Sequence, residues 1–160
     1  MRDDRGVSTT VDYVLALAIT SVVVSGLLIA GGGTVADERE RVTTDELEVL
    51  GGQLAAGFLD ADNLASTDGA ERAAVRVTLT DRAAGSSYTI QVRNPPSPTG
   101  NPYRYDLLLE SDAAGVSATV TIRTHHEAVL TGVSGGTVVV RVDDADGDGE
   151  SELVLESGPL

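Results

Sequence analysis

The stretch Tyr13–Gly33, YVLALAITSVVVSGLLIAGGG, decides how the rest of the chain is read. It runs for 21 residues without a charge. About 20 apolar residues cross the hydrocarbon core of a bilayer as a helix. A secretory signal has a shorter apolar core, roughly 7–15 residues, and ends in a small-residue cleavage site. Gly31–Gly33 imitate such a site, but the length favours a retained anchor over a discarded signal.

C-terminal to the glycines the pattern becomes amphipathic. Leu47, Leu50, Leu54 and Phe58 recur at steps of three, four and four, which puts them on one helical face. Val42 and Leu64 lie near the ends of that face, and Thr43 followed by Glu46 has the form of a capping box. The expected helix runs from Ala36 or Thr43 to Leu64, either continuous with the membrane helix or hinged, with Gly31–Gly33 and Gly51–Gly52 as candidate hinges.

From Ala73 the period changes to two. AAVRVTLTD alternates Val75, Val77 and Leu79 with Arg76, Thr78 and Thr80, and SSYTIQVR repeats the pattern. DRAAG between them reads as a hairpin turn, and NPPSPTGNP, with four of the five prolines, as a loop. Further alternating runs follow, giving six or seven short strands. A sheet with one apolar face needs a cover, and the amphipathic helix supplies it. The expected fold class is α+β: a long N-terminal helix followed by a small antiparallel sheet or β-sandwich. The segments are a leader at 1–6, a transmembrane or assembly helix at 7–33, an amphipathic helix at 34–66 and a β-domain at 70–160.

The charge balance narrows the function. The chain has 25 acidic residues against 11 basic ones, for a net charge of −14, and every basic residue is Arg. Residues 43–160 carry 19 of the acids and seven of the arginines. Such a surface suits high salt, where screening over a few Å removes self-repulsion, and it argues against nucleic-acid partners because phosphates are repelled. With no Cys there are no disulfides, thiolate sites or Cys nucleophiles. No phosphate loop occurs and no constellation of acid, base and nucleophile stands out, so a non-catalytic protein is expected.

Arg5 and Gly6, directly before VSTTVDYVLALAITSVVVSGLLIAGG, resemble the processing region of type IV pilin-like proteins of archaea. The longer pattern through RERV and ELEVLGGQLAA resembles a haloarchaeal family of pilin-like membrane proteins of unassigned activity; the likeness covers about the first 65 residues. It implies a prepilin peptidase that cuts after Gly6 and leaves Val7 as the new N-terminus. It also implies assembly with other pilin-like subunits and a single-pass location in the cell membrane. The N-terminus would be cytoplasmic, and the C-terminal domain would lie outside the cell or in surface filaments. In bacterial pilins a Glu near the fifth mature position pairs with the terminal amine; here the acid is Asp12, at the sixth. An ionisable group just inside a membrane helix is costly and generally has a partner. The amine of Val7, or Arg5 before cleavage, is such a partner, and hydration at headgroup depth is the other reading of Asp12. Ala16, Ala18, Ser21, Ser25 and Gly26 would let neighbouring helices approach closely. The alternative to a pilin-like subunit is a membrane-anchored extracellular binding module that does not polymerise.

A second signal is DDADGDGESELVLE at residues 143–156, with seven acids and no base. Asp144, Asp146, Asp148 and Glu152 fall at loop positions 1, 3, 5 and 9, and Glu150 at position 7 offers a carbonyl. Hard oxygen donors at alternate positions suit Ca2+. An EF-hand does not follow, since position 12 is Leu155 and strands flank the loop. A solvated acidic turn is the other reading. His125 and His126 are adjacent and in a strand would face opposite sides.

Overall fold

The computed structural model describes residues 4–68, 72–94, 102–144 and 150–158; within the helix, side chains are described from residue 11 to residue 66. One helix, α1, runs from Asp4 to Asp68. Among the described residues ten strands follow: β1 (Ala73–Val77), β2 (Arg82–Ala83), β3 (Ser86–Ser87), β4 (Thr89–Arg93), β5 (Tyr103–Ser111), β6 (Val116–Thr124), β7 (Glu127–Ala128), β8 (Gly132–Ser134), β9 (Val138–Asp143) and β10 (Glu152–Ser157). The chain divides into two compact units, residues 1–38 and 39–160.

The first unit is helical from Asp4 onward, and every residue from Val11 to Glu38 is exposed. Its large side chains, among them Leu15, Ile19, Val22, Leu27 and Ile29, have no cover. This stretch is long and apolar enough to cross a membrane once. The glycines Gly31–Gly33 are helical, so no break falls there.

In the second unit the helix is held by packing. Leu47, Leu54, Phe58 and Ala61 are fully buried, with Leu50, Ala55 and Ala65 nearly so. Burying the three large side chains Leu47, Leu54 and Phe58 contributes about 5–9 kcal/mol. That exceeds the roughly 3 kcal/mol by which Gly51, Gly52 and Gly57 disfavour a helix. Two of these glycines are required by close approach. A Cβ on Gly57 would lie 2.2 Å from Val77 Cγ2 in β1, and one on Gly51 would lie 2.8 Å from Val120 Cγ2 in β6. Thr43 does not cap: it lies inside α1, and its hydroxyl donates to the Arg39 carbonyl at 2.8 Å. The cap pattern fails because the helix already extends upstream of Thr43 through the charged residues 37–41.

Two four-stranded sheets share one core with this helix. The first has the order β1-β9-β10-β7 and the second β6-β5-β4-β8. All pairings are antiparallel except the short β10–β7 ladder. Alternation fixes which side chains point inward: Tyr105, Leu107 and Leu109 in β5, Val138, Val140 and Val142 in β9, Leu153 and Leu155 in β10. It does not fix partners. β1 pairs with β9, in the register Ala73↔Val142 to Val77↔Val138, not with its sequence neighbours. DRAAG therefore does not join β1 to β4; it closes the small β2–β3 ladder around Ala84 and Gly85. Both turn residues have positive φ, 46° and 86°, as a two-residue hairpin turn needs. The Ala84 N–H donates to the Glu46 carboxylate of α1, which holds the strained residue in place.

Gly57→Ala tests the close approach. In a solvated helix this substitution stabilises by about 0.5–1 kcal/mol; here it is expected to cost about 1–3 kcal/mol through overpacking against Val77. Thermal melting of the full chain in detergent measures the sign, and a raised midpoint would contradict the packing described.

Candidate functional site

The polar centre of the second unit is Asp62, on the last turns of α1. It is 1% exposed. His125 and His126 lie in a bend between β6 and β7, at the point where the chain leaves the second sheet for the first. The His125 N–H donates to both carboxylate oxygens, at 3.1 and 2.9 Å, and the His126 N–H donates to Oδ1 at 3.0 Å. Nδ1 of His125 lies 2.9 Å from Oδ2, and Nδ1 of His126 lies 2.8 Å from Oδ1. An ionised carboxylate only accepts, so each imidazole carries its proton on Nδ1 and turns Nε2 away from Asp62.

The two neighbours therefore converge, contrary to the opposed orientation expected of a strand. A bend, not a strand, carries them, and the buried carboxylate draws both rings to one side. Their exposures still differ, with side chains 64% and 24% accessible for His125 and His126. The Thr124 hydroxyl donates to the His126 carbonyl at 2.8 Å and helps to fix the bend. Burial pushes the Asp62 carboxyl up, but the His125 backbone bond, the two imidazoles and the His126 backbone bond outweigh it; the net pKa lies below the ordinary value. The sequence signal for this cluster was an acid at a core position of the helix, Asp62 beside Ala61, which a face-by-face reading passes over.

Beside the bend is a cavity of about 230 Å³ with Tyr103, His125, His126, Glu127, Glu150 and Glu152 on its walls. Tyr103 and Tyr105 share a strand face with ring centroids 6.5 Å apart. Glu152 stands directly across from Asp143 in β9 and from Glu127 in β7. Like charges in register oppose pairing. Arg72 and Arg141 offset part of this, with guanidinium nitrogens 3.4 and 3.8 Å from the Asp143 carboxylate. Of the expected cation ligands, Asp146 and Asp148 lie outside the described residues, while Asp144, Glu150 and Glu152 flank that gap, each with an interaction partner. Among the described residues no three His or carboxylate side chains are grouped to hold a metal ion. Arg5, Gly6 and Val7 fall in the first turn of α1, their side chains outside those described; Asp12 is exposed.

The geometry makes Asp62 a lock between helix and bend. Asp62→Asn keeps the shape but loses the charge and one acceptor oxygen, at an expected cost of about 2–3 kcal/mol. Because the folded pKa is depressed, this contribution is present above the unfolded value of about 4 and is lost as pH falls through the lower folded value. The melting gap between native protein and Asp62→Asn should thus be full at pH 6 and shrink toward pH 2. A gap constant over that range would remove the carboxylate from the account.

A model of the family of unknown function DUF7266 matches residues 2–155, and the chain belongs to that family. No curated protein and no solved structure matches the chain.

Proposed function

We propose that this DUF7266 protein is a non-catalytic, pilin-like structural subunit or envelope component, anchored in the cell membrane by residues 13–33. Its N-terminus faces the cytoplasm, and its acidic β-domain lies outside the cell of a salt-adapted archaeon. The observation that carries this reading is the change of surroundings along α1. The helix exposes apolar side chains all round from Val11 to Ala36, then buries one face among strands from Leu47 to Ala65. A helix apolar all round needs lipid or other helices of its kind. Arg5 and Gly6 ahead of that helix supply the further support, the resemblance to a prepilin peptidase site. Removal of MRDDRG strips two Arg and two Asp from the helix end, and Asp12 then serves the new amine at Val7 during assembly with neighbouring subunits.

Mass spectrometry of protein purified from its native membrane should give Val7 as the N-terminus, and Gly6→Leu should abolish that product. An intact Met1 in mature protein would overturn the processing and favour the plain anchor. An N-terminus after Gly33 would overturn anchoring altogether.

A second reading, an anchored binding module for Ca2+, draws on the row Asp143–Glu152–Glu127 at the mouth of the acidic stretch. Carboxylates directly opposite one another are relieved by a hard cation. Chelator-treated full-length protein should gain several degrees in melting temperature with millimolar Ca2+ beyond the gain from equal ionic strength of Na+. Equal gains would reduce the stretch to a solvated acidic turn.

A further inference from the structure

We propose that two copies of this chain dock side by side, the arginine corner of the second sheet in one copy meeting the carboxylate row of the first sheet in its neighbour. Register sets the corner. Arg104 in β5 stands directly opposite Arg123 in β6, and Arg93 ends β4 opposite Asp106, two residues along β5 from Arg104. All three arginines are exposed, while Val92, Tyr105 and Ile122 beside them are buried, so the three side chains leave the outer face of the sheet together. Three of the seven arginines after residue 43 thus meet at one place in a chain with 25 acids. Asp106 is the acid beside them, and its Oδ1 accepts the Thr121 hydroxyl at 2.7 Å. Arg93 forks onto the Gln91 amide oxygen at 3.0 and 2.6 Å. Among the described residues neither Arg104 nor Arg123 has a hydrogen bond or an ion pair. Like charges directly opposite destabilise a sheet, and a carboxylate from outside relieves such a pair.

The occupant follows from charge complementarity. In the first sheet Asp143, Glu152 and Glu127 stand in one row across β9, β10 and β7. Val142, Leu153 and Ala128 beside them are buried, so the row lies on that sheet's outer face. Arg72 and Arg141 reach Asp143, while Glu127, at the outer end of the row, is exposed, and Asp144 and Glu150 add to the acid there. A guanidinium presents a planar fork that matches a carboxylate on two bonds. Each surface carries like charges in register, and each supplies the charge that the other lacks. The two surfaces lie on the outer faces of different sheets, so one molecule cannot close the contact on itself. Copies of net charge −14 repel at a distance. At about 1 M salt, screening over ~3 Å removes that repulsion and leaves a contact at hydrogen-bond distance in place.

The placement of the two surfaces lets the copies stand parallel. Gly51 lies beside Val120 in the middle of β6, and Asp62 lies beside His125 just past its end, so α1 runs along β6 toward the end that holds Arg104 and Arg123. The His125–His126 bend leads directly from Thr124 to Glu127, which puts the carboxylate row at the same end. Surfaces at one level on different flanks meet when the neighbour is displaced sideways or turned about an axis along α1. Both helices then keep one direction, as two anchors in one membrane must. Such a contact is heterologous, and its repetition gives a ring or an open row of copies. Surface ion pairs are individually weak, and confinement of the anchors in one membrane raises the effective concentration of the partners. The contact takes the membrane anchor from the proposed function and nothing of the processing after Gly6.

The chain lacks cysteine, so a single engineered thiol, Ser117→Cys at an exposed position, can carry a donor or an acceptor dye. Full-length, uncleaved chains in phosphatidylcholine vesicles should show energy transfer between copies well above that of randomly dispersed chains. Chelator keeps Ca2+ off the carboxylate row, and flotation with the vesicles reads the anchor separately. Arg104→Glu with Arg123→Glu should abolish the excess transfer, and so should Glu127→Arg with Glu152→Arg. An equal mixture of the two double variants should restore it, because each then offers the other a complementary face. A mixture that stays at the random level, with both variants melting as the native chain does, would overturn the pairing. Excess transfer retained by either double variant alone would assign association to another surface and overturn it as well. Should a reversed chain fail to fold, Arg104→Gln with Arg123→Gln decides: the excess is expected to fall, and transfer at the native level would refute the contact.

Discussion

A helix has no single solvent when its side chains demand two. From Val11 to Ala36 the side chains of α1 include no basic residue and, apart from Asp12, no acid, and all are exposed. Water is a poor solvent for that surface at roughly 25 cal/mol for each Å² of it. Some 10 residues further along, the same helix presents Leu47, Leu54 and Phe58 to strands that cover them completely. Every other feature of the protein accommodates this demand. The β-domain has an inner face to cover the helix, an outer surface that carries most of the charge, and glycines where helix and strand touch.

Within that domain the packing would be greasy and poorly registered without a polar anchor. Burying a lone carboxylate is expensive, and it is tolerated only when its oxygens are fully bonded. Asp62 meets the condition with two backbone N–H groups and two imidazoles from successive residues. Those residues lie where the chain crosses from one sheet to the other, so the bond set ties the helix to the crossover and fixes how far the helix can slide along the core. Hydrophobic contact alone is non-directional; the carboxylate supplies the direction.

The electrostatics divide by depth. At the surface, pairs such as Arg141 with Glu156 and Arg72 with Asp143 stabilise by at most about 1 kcal/mol and are screened in salt. Their worth is to make a heavily acidic sheet end tolerable where Asp143, Glu152 and Glu127 line up. The Asp62 carboxylate, only 2% accessible, is screened far less than those surface pairs.

The sequence by itself determined the segments. A charge-free run of 21 residues, a 3–4–4 spacing of large apolar residues and the later alternation in twos each give the local periodicity of one kind of element. They yielded an exposed apolar helix, an amphipathic one and a strand-rich remainder, because burial on one face leaves a periodic mark. The tertiary structure chose the continuous helix among the alternatives the sequence left open, and it alone decided that β1 joins β9 and not its neighbour and that His125 and His126 turn to the same carboxylate. The physical reason is range. Periodicity records what each residue faces, whereas pairing register and the company of a buried Asp depend on residues some 60 positions away, and no local pattern encodes those.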